Sequence, residues 1–192
     1  MTTAPLAESL TVDAVWKLLE GVPDPEIPVV SIRELGILRS VRLLGDGRVE
    51  VVITPTYSGC PAIGQIEDDI RKVLSNAAPG GAELQVKIST QLAPAWTTDW
   101  IDQTTREKLR AYGIAPPRHL STAGNVILFA TKTVVLKSIN SRLDTRSSAS
   151  DVPCPRCGSH NTTETSHFAS TACKALYKCL DCLEPFDYFK PY

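Results

Sequence analysis

The stretch that decides the fold is ILRSVRLLGDGRVEVVITPTYSGCPAIGQIEDDIRKVLSNA, Ile37 to Ala77. Ile37–Leu44 and Arg48–Thr54 are strand-like runs that flank Gly45-Asp46-Gly47, and an Asp-Gly pair between two such runs signals a hairpin. Pro55–Gly59 reads as a loop. Cys60-Pro61 then opens a helix running to about Ala77, with Ile63, Ile66, Ile70, Val73 and Leu74 on its apolar face. Proline suits the first helical position, where its missing N–H would be unpaired anyway.

The pattern continues outward on both sides. Upstream, Leu10, Ala14, Val15, Leu18 and Leu19 recur at helical spacing; Thr11 or Ser9 is placed to cap that helix and Gly21 with Pro23 to stop it. Asp24-Pro25-Glu26-Ile27-Pro28 follows as a stiff, extended loop. Downstream, Pro79-Gly80-Gly81 ends the second helix. Glu83–Thr90 forms a third strand, with Leu84, Val86 and Ile88 on one face. A last helix starts at Thr98 or Asp99 and ends near Tyr112, capped by Gly113. The order α-β-β-α-β-α predicts an α+β sandwich, helices covering one sheet.

Of 192 residues, 43% are apolar and 21% charged, which excludes wholesale disorder. The net charge of -1 argues against a strongly basic nucleic-acid binder. No uncharged stretch is long enough to span a bilayer. MTTAPLAESL lacks the basic and apolar regions of a secretory signal, so a cytoplasmic location with reduced thiols is expected. Charge divides the chain: residues 1–115 carry -4, residues 116–150 carry +4, and residues 151–192 carry -1. Three segments are therefore expected: the α+β domain (1–115), a linker or insertion (116–150), and a tail module (151–192). Within the second, Asn125–Ser138 is β-prone and Ser141–Val152 is Ser-rich and linker-like.

Five of the six cysteines lie in the tail. Cys154-Pro-Arg-Cys157-Gly158 and Cys179-Leu-Asp-Cys182 are two CxxC pairs separated by 21 residues. Each pair suits a tight knuckle, and two knuckles complete a four-sulfur site of the zinc-ribbon or iron–sulfur kind. A segment of about 40 residues has too little core to fold alone, so metal would supply much of its folding free energy. A redox couple would instead want a single CxxC at a helix N-terminus. Cys173 stands apart, as a spare thiol, a small buried hydrophobe or an additional metal ligand. His160 and His167 read as surface residues.

Cys60 precedes Pro61 at a helix N-terminus, where the macrodipole should stabilise a thiolate and lower its pKa. A buried capping cysteine is the plainer reading. Asp24 and Glu26 either cap a turn or orient a metal or partner. A thiol enzyme would need a histidine base, and His119, His160 and His167 all lie outside the first domain.

Asp24–Pro28, the Leu35-Gly36 turn and Thr56–Pro61 together resemble the iron–sulfur-cluster-assembly domain of SufT-like proteins and Mrp-type cluster carriers. Joined to the tail STACKALYKCLDCLEPFDYFK, they resemble the PaaD-like family of phenylacetate degradation. Two departures stand out. Residues 118–150 are longer than a short connector, and Ala169 stands where family members tend to carry glycine. The resemblance implies a non-catalytic factor that assembles or matures the iron–sulfur or di-iron centre of the phenylacetyl-CoA ring epoxidase. It implies transient iron or cluster binding at Cys60, shaped by Asp24 and Glu26, and a tail site of Cys154, Cys157, Cys179 and Cys182 for zinc or a cluster. Epoxidase or reductase subunits, or cluster-assembly proteins, would be partners; nucleic acid and membrane would not, and self-association is open. The alternative is a structural or electron-transfer subunit with an iron–sulfur cluster on the tail.

Overall fold

The structure, a computed structural model, describes residues 11–45, 48–77, 84–118 and 152–192. Asp46-Gly47, Pro79-Gly80-Gly81, Asn125–Ser138 and the Ser141–Val152 segment up to residue 151 lie outside the described residues.

Helix α1 spans Val12–Leu19, and its N-cap is Thr11, whose hydroxyl accepts from the Ala14 N–H at 3.1 Å. Strands β1 (Leu38–Leu43) and β2 (Val49–Ile53) pair antiparallel, Leu43 opposite Val49. Helix α2 (Ala62–Asn76) then crosses over to β3 (Val86–Thr90), which pairs parallel with β2, Val49 opposite Val86. The sheet order is β1-β2-β3.

Alternation decides what β2 buries: Val49, Val51 and Ile53 are fully inside. Ile66, Ile70 and Leu74 of α2 meet them from the helical side. Each such side chain contributes roughly 1.5–3 kcal/mol on burial. The surface pair Arg71–Glu67 at 2.9 Å adds at most about 0.5 kcal/mol, so packing and not charge holds α2 down.

Two boundaries differ from expectation. Pro61 is the residue before α2 rather than its first turn. The last helix, α3, begins at Gln103 and not at Thr98 or Asp99; Thr98–Trp100 is a single 3-10 turn. Asp102 explains the delay, because its carboxylate accepts the Thr105 N–H at 2.7 Å and caps the helix there. Gly113 ends α3 at φ 100° as expected.

The tail forms a second sheet of order β4-β7-β6-β5: β4 (Ile114–Ala115), β5 (Thr162–Ser166), β6 (Lys174–Cys179) and β7 (Pro185–Phe189). The short β4 follows directly on α3, so the first segment supplies a strand to the tail's sheet. Ile114 lies opposite Asp187 and Ala115 opposite Tyr188.

Strand β7 distributes its aromatics by alternation. Phe186 and Tyr188 join Tyr177 in the tail's own core, with ring centroids 5.8 and 5.4 Å from it. Phe189 turns the other way into the core of the first domain, 6.0 Å from the Trp96 ring. The Trp96 indole N–H donates to the Leu35 carbonyl at 2.8 Å, and the Thr97 hydroxyl donates to the main-chain oxygen of Tyr192 at 2.9 Å. The buried Arg106 guanidinium donates to the carbonyls of Thr98 (2.7 Å), Ile101 (3.1 Å) and Pro117. Ring packing, a shared strand and main-chain hydrogen bonds thus join the two sheets.

Candidate functional site

The four paired cysteines converge. The sulfurs of Cys154, Cys157, Cys179 and Cys182 all lie within 4.8 Å of one another. Cys154 and Cys182 are 3.8 Å apart, Cys157 and Cys179 3.6 Å. Thiolate bonds of about 2.3 Å, the length zinc makes, place neighbouring sulfurs of a tetrahedron about 3.8 Å apart. The donor set therefore fits one tetrahedral ion. A polynuclear cluster interposes further metals and sulfides, and would spread its ligands wider.

Backbone geometry builds this cage. The residue after each CxxC takes a left-handed conformation: Gly158 at φ 74° and Leu183 at φ 65°. At the second knuckle the Cys182 N–H points at the Cys179 sulfur, 3.5 Å away, and pulls that thiol down to about 7. Ser159 and Asn161 both donate to the Asp181 carboxylate, tying one knuckle to the other. His160 and His167 are exposed and stand outside the four-sulfur group.

Cys60 lies in the first domain. It closes the turn Tyr57–Cys60, with its N–H on the Tyr57 carbonyl at 3.1 Å, just ahead of α2. The expected lowering of its pKa does not occur: burial pushes the half-buried thiol up. The Ala62 N–H and the Thr56 hydroxyl favour the thiolate, as a helix N-terminus should, but Glu26 and Asp24 add two repelling charges. Desolvation and like charge outweigh the helix end.

Asp24 is buried, and one carboxylate oxygen accepts the N–H groups of Glu26 and Ile27, both at 2.9 Å. It fastens the loop from inside. Burial raises its pKa against these two bonds and the charge of Lys174. Glu26 is half-exposed, on the same loop.

Cys173 is absent from the four-sulfur group. It is buried in the first domain's core with Phe189, while Cys60 packs against the same cluster. The nearby Ala169 needs no glycine-like conformation, because Leu183 is the sole non-glycine residue with positive φ among the described residues.

Three neighbours were not among the candidate site residues of the sequence. The buried Lys174 pairs with Asp187 at 3.2 Å and adds positive charge near Asp24. Thr56 has a buried hydroxyl without a hydrogen bond of ordinary geometry, yet close enough to the Cys60 sulfur to act on it. The Tyr57 hydroxyl is pushed up by burial and then by Cys60, Cys173 and Glu26. Thr56 and Tyr57 lie in the Thr56–Pro61 motif and Lys174 stands beside Cys173, but only the fold gives the three a role.

Two family models match different parts of the chain. Residues 12–88 match the model of the family described as iron–sulfur cluster assembly protein. Residues 138–190 match the PaaD zinc beta ribbon domain. An Escherichia coli K12 protein, provisionally named as a subunit of 1,2-phenylacetyl-CoA epoxidase, is 45% identical over 93% of this chain and 92% of its own. A Porphyromonas gingivalis protein named Fe-S protein maturation auxiliary factor is 36% identical over 48% of this chain and 85% of its own. A crystal structure of a domain of unknown function, DUF59, from Bacillus anthracis covers 51% of this chain and 90% of its own, at 28% identity and a TM-score of 0.45. Among the described residues, no helix is long and apolar enough to cross a membrane. With a match along nearly its whole length, and a four-sulfur cage in the ribbon, the chain belongs to the PaaD family, an iron–sulfur cluster assembly domain joined to a zinc beta ribbon.

Proposed function

We propose that this protein is a non-catalytic accessory factor. It takes iron or an iron–sulfur cluster on Cys60 and passes it to a metal centre of a multicomponent phenylacetyl-CoA epoxidase. The observation that carries the reading is the setting of Cys60: a half-buried thiol in the turn just ahead of α2, its N–H on the Tyr57 carbonyl, with Glu26 and Asp24 acting on it electrostatically. The names of the relatives, an epoxidase subunit and a maturation factor, support the same reading.

Its chemistry suits a carrier. A raised pKa keeps the Cys60 sulfur protonated at neutral pH, so metal must displace a proton to bind. That competition weakens the hold and favours release. Asp24 fastens the loop that carries Glu26, whose charge reaches the sulfur, and the half-buried position of Cys60 leaves it open in part to a partner protein. Subunits of the epoxidase, its reductase, or cluster-assembly proteins are the partners this implies.

The ribbon's Cys154, Cys157, Cys179 and Cys182 would hold a resident zinc ion. Zinc supplies no redox chemistry; it cross-links two loops that have little core of their own. The spacing of the four sulfurs favours this over a redox cluster in an electron-transfer subunit.

The test is replacement of Cys60 by Ser in cells whose epoxidase depends on this protein. The epoxidase subunits should accumulate normally but be purified poor in iron, with activity lost in proportion. Full iron content and activity would exclude Cys60 as the carrier.

A further inference from the structure

A cleft between α1 and the start of β1 takes no part in the function proposed above. Its volume is about 800 Å³, and Trp16, Arg33, Arg39 and Trp100 are among the residues that line it. Cys60, Asp24 and Glu26 do not.

Three backbone features build this cleft. Gly36 has φ 72°, and a side chain there would bring a Cβ to 3.0 Å from the Trp100 Cβ. Glycine therefore lets Trp100 seat directly on the Leu35-Gly36 turn. The 3-10 turn Thr98–Trp100 presents the ring. Arg39 is the extra residue of a bulge in β1: Leu38 lies opposite Ile53 and Ser40 opposite Val52, which leaves Arg39 without a partner of its own. Bulges redirect side chains. Here the guanidinium lies over the Trp100 ring, 3.7 Å from its centroid. Stacking occupies the face of the guanidinium and leaves the in-plane N–H groups at its edge, which grip a carboxylate bidentately.

The charges of the cleft are not all matched. Arg33 is engaged: it pairs with Glu20 and lies 5.5 Å from the Trp16 ring centroid. Asp13 sits in the first turn of α1, where the helix end favours a carboxylate. Arg39 and Lys17 both line the cleft without an ion pair among the described residues. Trp16 and Trp100 beside them are half-buried. Trp and Arg are over-represented among the residues that dominate protein–protein binding.

We propose that this cleft docks an acidic segment of a partner protein, with a carboxylate on the edge of Arg39, further negative charge towards Lys17 and an apolar side chain against the indoles. Nucleic acid is the poorer occupant. Residues 1–115 carry a net charge of -4, and Asp13 and Glu20 stand in the cleft itself. A continuous row of phosphates would meet those carboxylates, whereas the spaced charges of a peptide need not. The inference stands whether or not Cys60 carries metal.

The test uses the full chain with zinc in the ribbon. The probe is a short synthetic peptide alternating glutamate with leucine and phenylalanine. NMR follows the indole N–H signals of the three tryptophans. Those of Trp16 and Trp100 should shift. That of Trp96, buried with its N–H on the Leu35 carbonyl, should stay and serves as the internal control. Arg39→Gln should weaken binding at least about tenfold, the loss expected for a charge-assisted pair. Arg39→Lys should not restore it, because an ammonium cannot grip two oxygens in one plane. Lys17→Gln changes an exposed residue of α1 and should weaken both the binding and its salt dependence, whether or not the Arg39 variants fold. The same peptide with glutamine for glutamate should bind far more weakly; equal binding refutes an acidic occupant. A single-stranded oligonucleotide that shifts Trp16 and Trp100 at lower concentration than the peptide refutes the choice of a protein. No shift at either indole, or a shift at Trp96 alone, refutes the site.

Discussion

At Cys60 the helix N-terminus and the neighbouring carboxylates pull one thiol in opposite directions. The Ala62 N–H favours the thiolate; burial, Glu26 and Asp24 disfavour it, and they win. Its ordinary pKa is 9.0, and the shift is upward. The thiolate is the species that reacts, so alkylation of Cys60 should rise with pH through a midpoint above that value. Glu26→Gln removes a repelling charge, and the midpoint should fall. Peptide mass spectrometry after timed iodoacetamide labelling measures this for Cys60 alone. A wild-type midpoint well below that of a free thiol would mean that the helix end dominates after all.

Among the elements, the Asp24–Pro28 loop depends on one side chain. Asp24 supplies a buried acceptor to the N–H groups of Glu26 and Ile27. Asp24→Ala leaves both without that acceptor, and unpaired buried groups cost about 1–3 kcal/mol. Asp24→Asn keeps a side-chain oxygen and should cost much less. Urea unfolding of the two variants separates the cases; equal midpoints would show that the loop is held by its prolines instead. The alternatives open for Asp24 in the sequence, turn cap or ligand support, differ only in where the oxygens point. That direction is a property of the folded loop.

For the molecule as a whole, the ribbon and the first domain share side chains. Phe189 is fully buried against Trp96, and Thr97 bonds to the main chain of Tyr192. Removing the ribbon metal with a chelator should therefore loosen both parts. Amide exchange should accelerate in β5 to β7 and also around Trp96–Trp100. Phe189→Ala should cost about 3–5 kcal/mol, as loss of a buried aromatic does, and it should confine the chelator's effect to the ribbon. Unchanged exchange at Trp96–Trp100 after chelation would mean that the two parts are independent.

Local periodicity alone determined the helices and strands of the first domain, because each follows from side-chain spacing within a few residues. The alternation in Val49–Ile53 and the helical stripe through Ile66, Ile70 and Leu74 are examples. The four-sulfur site was equally legible, since two CxxC knuckles carry their own geometry. The start of α3 was not, because Thr98, Asp99 and Asp102 are all fair caps and packing chose among them. Nor was the balance at Cys60, since the opposing charges sit more than thirty residues upstream in Asp24 and Glu26. The burial of Cys173 in the first domain's core was the least legible of all. It places a tail residue among side chains from the start of the chain, and only the packing of β7 and Phe189 against the first domain decides it.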